Sequence, residues 1–208
     1  MKPKTSLFIA IAALIFFICM TVFVKQGIVE GFNETIYTMV ERTIAPALTT
    51  AALWISNAGQ WYVYLPIVAI LIIIPGARLK IGLPVAISVS VSAIVNSVLK
   101  IIFAVPRPVV NQLVEVTGYG YPSGHVMNCV VFFGMCAYMF LRFSKRKQYK
   151  PACLIAVVGF VLLMGFSRVY LGVHTVTDAL GGYLAGIVIL SASICIMNFP
   201  RGKAEAEE

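Results

Sequence analysis

The run LFIAIAALIFFICMTVFV, Leu7–Val24, has no charged residue and is long enough to cross ~30 Å of hydrocarbon as a helix. It follows MKPK, so it also resembles a signal peptide. It is longer than a typical signal core and lacks a small-x-small cleavage site, so it reads as an uncleaved first helix. The rest of the chain is of the same kind. It is 60% hydrophobic and 12% charged, with a mean hydropathy of +0.94. Soluble domains are about 45–50% apolar and about 25% charged. The chain is therefore expected to be an all-α, polytopic membrane protein.

Six spanning segments can be traced: Leu7–Val24, Gly59–Ala77, Ile81–Ala104, a fourth starting at His125, Ala152–Phe166, and a sixth from near His174 to near Phe199. The piece between the first two mixes charge with apolar residues and contains Pro46, which points to an amphipathic helix lying at the interface. No repeat or soluble domain is visible, so residues 1–208 read as a single membrane-embedded domain.

The net charge is +8, and the positive charge is unevenly placed. Lys2 and Lys4 precede the first span, Arg78 and Lys80 fall between the second and third, and Arg201 and Lys203 follow the sixth. Five more cations crowd RFSKRKQYK, Arg142–Lys150, with no aromatic stacking platform beside them. This pattern is that of cytoplasmic loops, with both termini cytoplasmic, and not of nucleic-acid binding. Cys19, Cys129, Cys136, Cys153 and Cys195 all lie in apolar runs without a C-x-x-C pair, so neither a disulfide framework nor a metal site is expected. Nothing in the chain sets an oligomeric state.

Three stretches on the opposite, extracytoplasmic side carry unusual chemistry. KIIFAVPRP holds Lys100 and Arg107; YPSGH holds Ser123, Gly124 and His125; SRVYLGVHTVTD holds Arg168, His174 and Asp178. Singly, each has an ordinary explanation: a snorkelling lysine, a turn before a helix, a surface i,i+4 pair. Together they place three cations and both histidines of the chain near one membrane surface, where ionisable groups are costly. Arginine forks suit phosphate oxygens, and a glycine at a helix N-terminus leaves backbone N–H groups open to an anion. Asp178, one turn after His174, can orient the imidazole as a nucleophile, and His125 can donate a proton to a leaving oxygen.

The order Lys–six residues–Arg-Pro, Pro-Ser-Gly-His, Ser-Arg–five residues–His–three residues–Asp resembles the three-part signature of the type 2 phosphatidic acid phosphatase superfamily, with every position filled between Lys100 and Asp178. The soluble vanadium haloperoxidases share that signature, but membrane character favours the lipid phosphatase branch. The resemblance implies a metal- and cofactor-independent phosphatase working through a phosphohistidine. His174 would be the nucleophile, Asp178 its orienting partner and His125 the general acid. Lys100, Arg107, Ser123, Gly124 and Arg168 would hold the phosphoryl group. The implied substrate is a membrane lipid phosphate: undecaprenyl pyrophosphate, phosphatidylglycerol phosphate, phosphatidic acid or diacylglycerol pyrophosphate, as in similar bacterial enzymes. A phosphotransferase modifying lipid A or a sugar phosphate would use the same intermediate. A non-catalytic binding or transport protein would need the cations but not Asp178 behind His174. Phe103, Tyr119, Tyr121 and Tyr170 are expected at the mouth, against lipid chains or in an aromatic belt. Gly182 and Gly186 are expected to serve close helix packing.

Overall fold

The computed structural model describes residues 2–199, and every regular element in them is helical. Arg201 and Lys203 lie outside the described residues. α1 (Pro3–Lys25) opens with proline at a first-turn position, where its missing N–H costs nothing. α2 (Glu30–Glu41) is the short amphipathic helix expected between the first two spans, and none of its residues is fully buried.

The second span starts earlier than the sequence reading placed it. α3 (Pro46–Ala58) and α4 (Trp61–Ile73) meet at a 42° bend and together have the length and apolarity of one span, whereas α4 alone has 13 residues. Pro46, taken as an obstacle, sits in the first turn and starts the helix. The threonines of α3 find partners within the fold. Thr50 Oγ1 donates to Pro46 O at 2.9 Å, and Thr49 Oγ1 lies 2.9 Å from Tyr170 Oη. With this bent pair as one span, six candidate spans stand among the described residues, because five other helices are long and apolar enough to cross.

A helical turn at Pro75–Ala77 and a π-helical turn at Arg78–Gly82 lead into α5 (Leu83–Phe103). α5 stops at Ala104, whose φ of 47° is left-handed, and an irregular stretch then crosses the end of the bundle to α6 (Gly124–Phe143). α7 (Lys150–Tyr170) and α8 (Val176–Asn198) complete the chain. α6 and α8 form the centre. The glycine pair of α8 is used inside the bundle: a Cβ on Gly182 would come 2.7 Å from Ser123 O, and one on Gly186 2.7 Å from Val130 Cβ.

α1 lies along α8 for its whole length. Cys195 Sγ donates to Pro3 O at 3.5 Å at one end. At the other, Thr21 Oγ1 sits 2.9 Å from Tyr121 Oη and Lys25 Nζ donates to Phe103 O at 2.9 Å. The two ends of the bundle differ in charge. Lys2, Lys4, Arg78, Lys80, Arg142, Lys145, Arg146, Lys147 and Lys150 occupy one end, and all the described carboxylates (Glu30, Glu34, Glu41, Glu115 and Asp178) occupy the other.

Candidate active site

Asp178 is fixed by the start of its own helix. It is the third residue of α8, where its backbone N–H donates to Thr175 Oγ1 at 3.1 Å and its Oδ2 accepts from Thr175 N at 2.9 Å, a reciprocal cap. The same Oδ2 lies 3.2 Å from His174 Nδ1, and both side chains are 2% exposed. On the far side of the ring, Arg107 Nη1 is 3.3 Å from His174 Nε2. A guanidinium only donates, so Nε2 must accept and Nδ1 must carry the proton given to Asp178. The lone pair is thereby placed on Nε2. Burial pushes the His174 pKa down to about 4; Asp178 opposes this by hydrogen bond and charge, while Arg168 and Arg107 add to it. The ring is neutral at physiological pH, as a nitrogen nucleophile must be.

The cations are held by backbone. Arg107 donates through Nη1 to Val173 O at 2.7 Å, through Nε to Gly118 O at 3.1 Å and through Nη2 to Thr117 O at 3.2 Å. Lys100 Nζ donates to Tyr119 O at 2.5 Å. These bonds tie the irregular 104–123 stretch to the end of α5 and to the segment before α8. Arg168, 3% exposed, donates through Nη1 to Ser56 Oγ on α3. His125 lies within electrostatic reach of Lys100, Arg107, Arg168 and His174.

Ser123 Oγ, His125 Nε2 and Arg168 Nε are buried polar atoms without a protein partner among the described residues, and all three belong to this corner. Buried polar atoms are nearly always paired, so three such atoms beside His174 mark a place built for a polar guest. Gly124, at the first turn of α6, has no room for a side chain: its Cβ would lie 2.6 Å from Asn96 Oδ1. A cavity of about 760 Å³ opens onto Arg107, His174 and Asp178 between α2 and the 104–110 segment. Among the described residues no group of three His, Cys, Asp or Glu side chains is arranged to hold a metal ion.

All eight site residues singled out in the sequence thus meet at one end of the bundle. Two of the expected mouth aromatics do not line it. Tyr121 and Tyr170 are fully buried. Tyr121 stacks on Phe17 and pairs with Thr21, and burial raises its pKa to about 12; Tyr170 pairs with Thr49 and with the backbone of Ala45. Tyr119 is 43% exposed and remains at the surface.

Other residues join the site without having been foreseen. Ser56 is the partner of Arg168. Asn96 Nδ2 donates to Pro122 O at 3.2 Å and sets the turn before Gly124. Asn33 on α2 grips Thr177 twice: its Nδ2 donates to Thr177 Oγ1 at 2.9 Å, and its Oδ1 accepts from Thr177 N at 3.2 Å. Thr177 Oγ1 touches Thr175 Oγ1 at 3.1 Å, so hydrogen bonds run unbroken from the surface helix to Asp178 and His174.

The profile of the PAP2 superfamily matches residues 81–201. The chain belongs to the PAP2 superfamily. Its PAP2 relatives include phosphatidylglycerophosphatase B of Bacillus subtilis, 31% identical over 86% of this chain and 90% of that protein. Undecaprenyl-diphosphatase of Sulfolobus acidocaldarius is 31% identical over 88% of each chain. The crystal structure of a transmembrane PAP2-type phosphatidylglycerolphosphate phosphatase from Bacillus subtilis superimposes with a TM-score of 0.84 at 25% identity, covering 90% of this chain and 95% of that one. The protein is a multi-pass membrane phosphatase of this superfamily.

Proposed function

We propose that this PAP2 phosphatase hydrolyses a phosphomonoester or diphosphate of a membrane lipid, such as undecaprenyl pyrophosphate, phosphatidylglycerol phosphate, phosphatidic acid or diacylglycerol pyrophosphate, on the extracytoplasmic face. The observation that carries the mechanism is His174 held between Asp178 and Arg107, which leaves Nε2 as the nitrogen with a lone pair. Nε2 attacks phosphorus, and the bond to the lipid (or lipid phosphate) oxygen breaks. His125 gives that oxygen a proton. Asp178 accepts the hydrogen bond of the imidazolium that develops and keeps the ring in place. Water then attacks the phosphohistidine, His125 takes its proton, and inorganic phosphate leaves. Lys100, Arg107, Arg168, Ser123 and the N–H groups at the start of α6 neutralise the phosphoryl oxygens, so no metal ion is required.

The reading of sidedness rests on the nine cations at the end opposite His174, which favour a cytoplasmic location for that end and for the N-terminus. Only the headgroup needs to reach the cations, while the hydrocarbon stays between the helices.

Phosphate release from a panel of these lipids in detergent containing EDTA tests the activity. Turnover of at least one lipid is expected, and activity lost on chelation and restored by Mg²⁺ would refute the metal-free reading. Membrane-impermeant thiol labelling tests the sidedness, using Asn111→Cys and Gln148→Cys in a cysteine-free background. Labelling of the first alone is expected in intact cells, and labelling of the second alone reverses the topology.

A further inference from the structure

A second cavity, of about 820 Å³, lies between α6, α7 and α8 in the half of the bundle away from His174. Its walls are apolar, including Val130, Leu154, Val158 and Leu190. Leu154 and Val158 are each 50% exposed, so the groove is open sideways to lipid. Along α6 it runs from Val130 to Leu141. That is about 17 Å at 1.5 Å per residue, roughly the depth of one leaflet.

The groove ends on a polar cluster. Arg142 Nη1 donates to Tyr138 Oη at 3.0 Å and to Asn198 Oδ1 at 2.7 Å. Asn198 Nδ2 donates to Ile194 O at 2.8 Å and to Tyr138 Oη at 2.8 Å. The guanidinium is therefore anchored through one nitrogen, and its Nε and Nη2 make no hydrogen bond among the described residues. No described carboxylate lies at this end, where Lys145, Arg146, Lys147 and Lys150 add to the positive field.

We propose that this groove is a non-catalytic binding site for an anionic phospholipid of the leaflet at the basic end. One acyl chain lies along α6 between α7 and α8, and the headgroup phosphate accepts from Arg142. The division of labour follows from the surroundings. An acyl chain gains little by leaving other acyl chains for an apolar groove, so the groove fixes the position and the headgroup decides which lipid stays. A fixed arginine with two free donors suits a phosphate. Basic pockets between spanning helices are where anionic headgroups bind. The site is separate from the phosphatase reaction and does not depend on the substrate assigned above.

The test uses the purified full chain in detergent. Thermal unfolding is followed with added dioleoyl phosphatidylglycerol or dioleoyl phosphatidylcholine. These share acyl chains, and both are phosphodiesters without a terminal phosphate. The anionic lipid is expected to raise Tm by about 3 °C or more over the zwitterionic one. R142Q should erase that difference, and V158W, which fills an exposed part of the groove, should erase the response to the anionic lipid. K145A/R146A/K147A should keep most of the difference. Turnover of a short-chain substrate should be unchanged in R142Q. Equal shifts from both lipids, persistence of the difference in R142Q, persistence of the response in V158W, or loss of the difference in the triple variant overturns the assignment.

Discussion

The two ends of the bundle are both cationic, and they differ in where their fixed cations point. At the His174 end the three cations beside the histidine are held. Lys100 and Arg107 are bound to carbonyls of the 104–123 and 173 segments, and Arg168 to Ser56. At the other end Lys145, Arg146 and Lys147 are exposed, while Lys150 is tied to Leu141 O and Arg142 to Tyr138 and Asn198, with no buried corner between them. Holding a charge at a fixed point costs desolvation and side-chain entropy, an expense that serves geometry. Leaving it in water costs almost nothing and still serves orientation in the membrane. The contrast teaches that position alone does not mark a functional cation in such a chain. What marks the three beside His174 is that they are held around one corner that also contains the unpartnered Ser123 Oγ and His125 Nε2.

This contrast can be broken most severely at its centre. His174→Ala should reduce phosphate release by about 10⁵-fold or more, as loss of a covalent nucleophile does, with helical content and Tm retained. Residual turnover within tenfold of the parent would remove His174 from the mechanism. Asp178→Asn keeps the shape but loses the carboxylate that fixes the tautomer, and should cost about 10³–10⁴-fold in kcat.

The same variant sharpens the electrostatics. In the parent, the acid limb of kcat/KM should lie near pH 4, where burial has placed the His174 ionisation, because imidazolium has no lone pair. Asp178 raises that pKa, so its loss should move the acid limb lower. A limb that stays in place would show that another group sets it.

A smaller effect is expected from Asn33→Ala. It leaves every group that touches phosphate but unlinks α2 from Thr177, and should cost up to about 10²-fold in kcat through misplacement, with KM little changed. A KM effect alone would assign Asn33 to lipid binding. The smallest effect belongs to the basic end. K145A/R146A/K147A should stay within about twofold of parent kcat/KM in detergent, since surface charges far from the site contribute little. A tenfold loss would mean the two ends are not independent.

The sequence revealed the fold class, the six-span count and the residues now found together, because each of those signals is local. Uncharged runs report spans, and the three motif pieces hold their residues within ten or so positions. Other features were hidden because they depend on partners far away in the chain. The bent second span was misplaced because Thr49 and Pro46 read as polar and disruptive, while the Tyr170 hydroxyl that satisfies Thr49 lies 121 residues on. Tyr121 and Tyr170 were assigned to the mouth for want of sight of Thr21 and Thr49. Asn33 reaches Thr177 across 144 positions, and no spacing rule links them. Ser56 carried no signal until Arg168 was seen against it.

The packing of α1 along α8 sets an order for biosynthesis. α1 has its main protein partner in α8, some 150 residues later in the chain. Until α8 is inserted, α1 is met by Phe103 and Tyr121, through Phe17, Thr21 and Lys25, but lacks its most extensive partner. The two elements that pack along each other are therefore made far apart in time. A chain that stalls before α8 lacks both that partner and Asp178, so His174 stands without the carboxylate that holds its Nδ1.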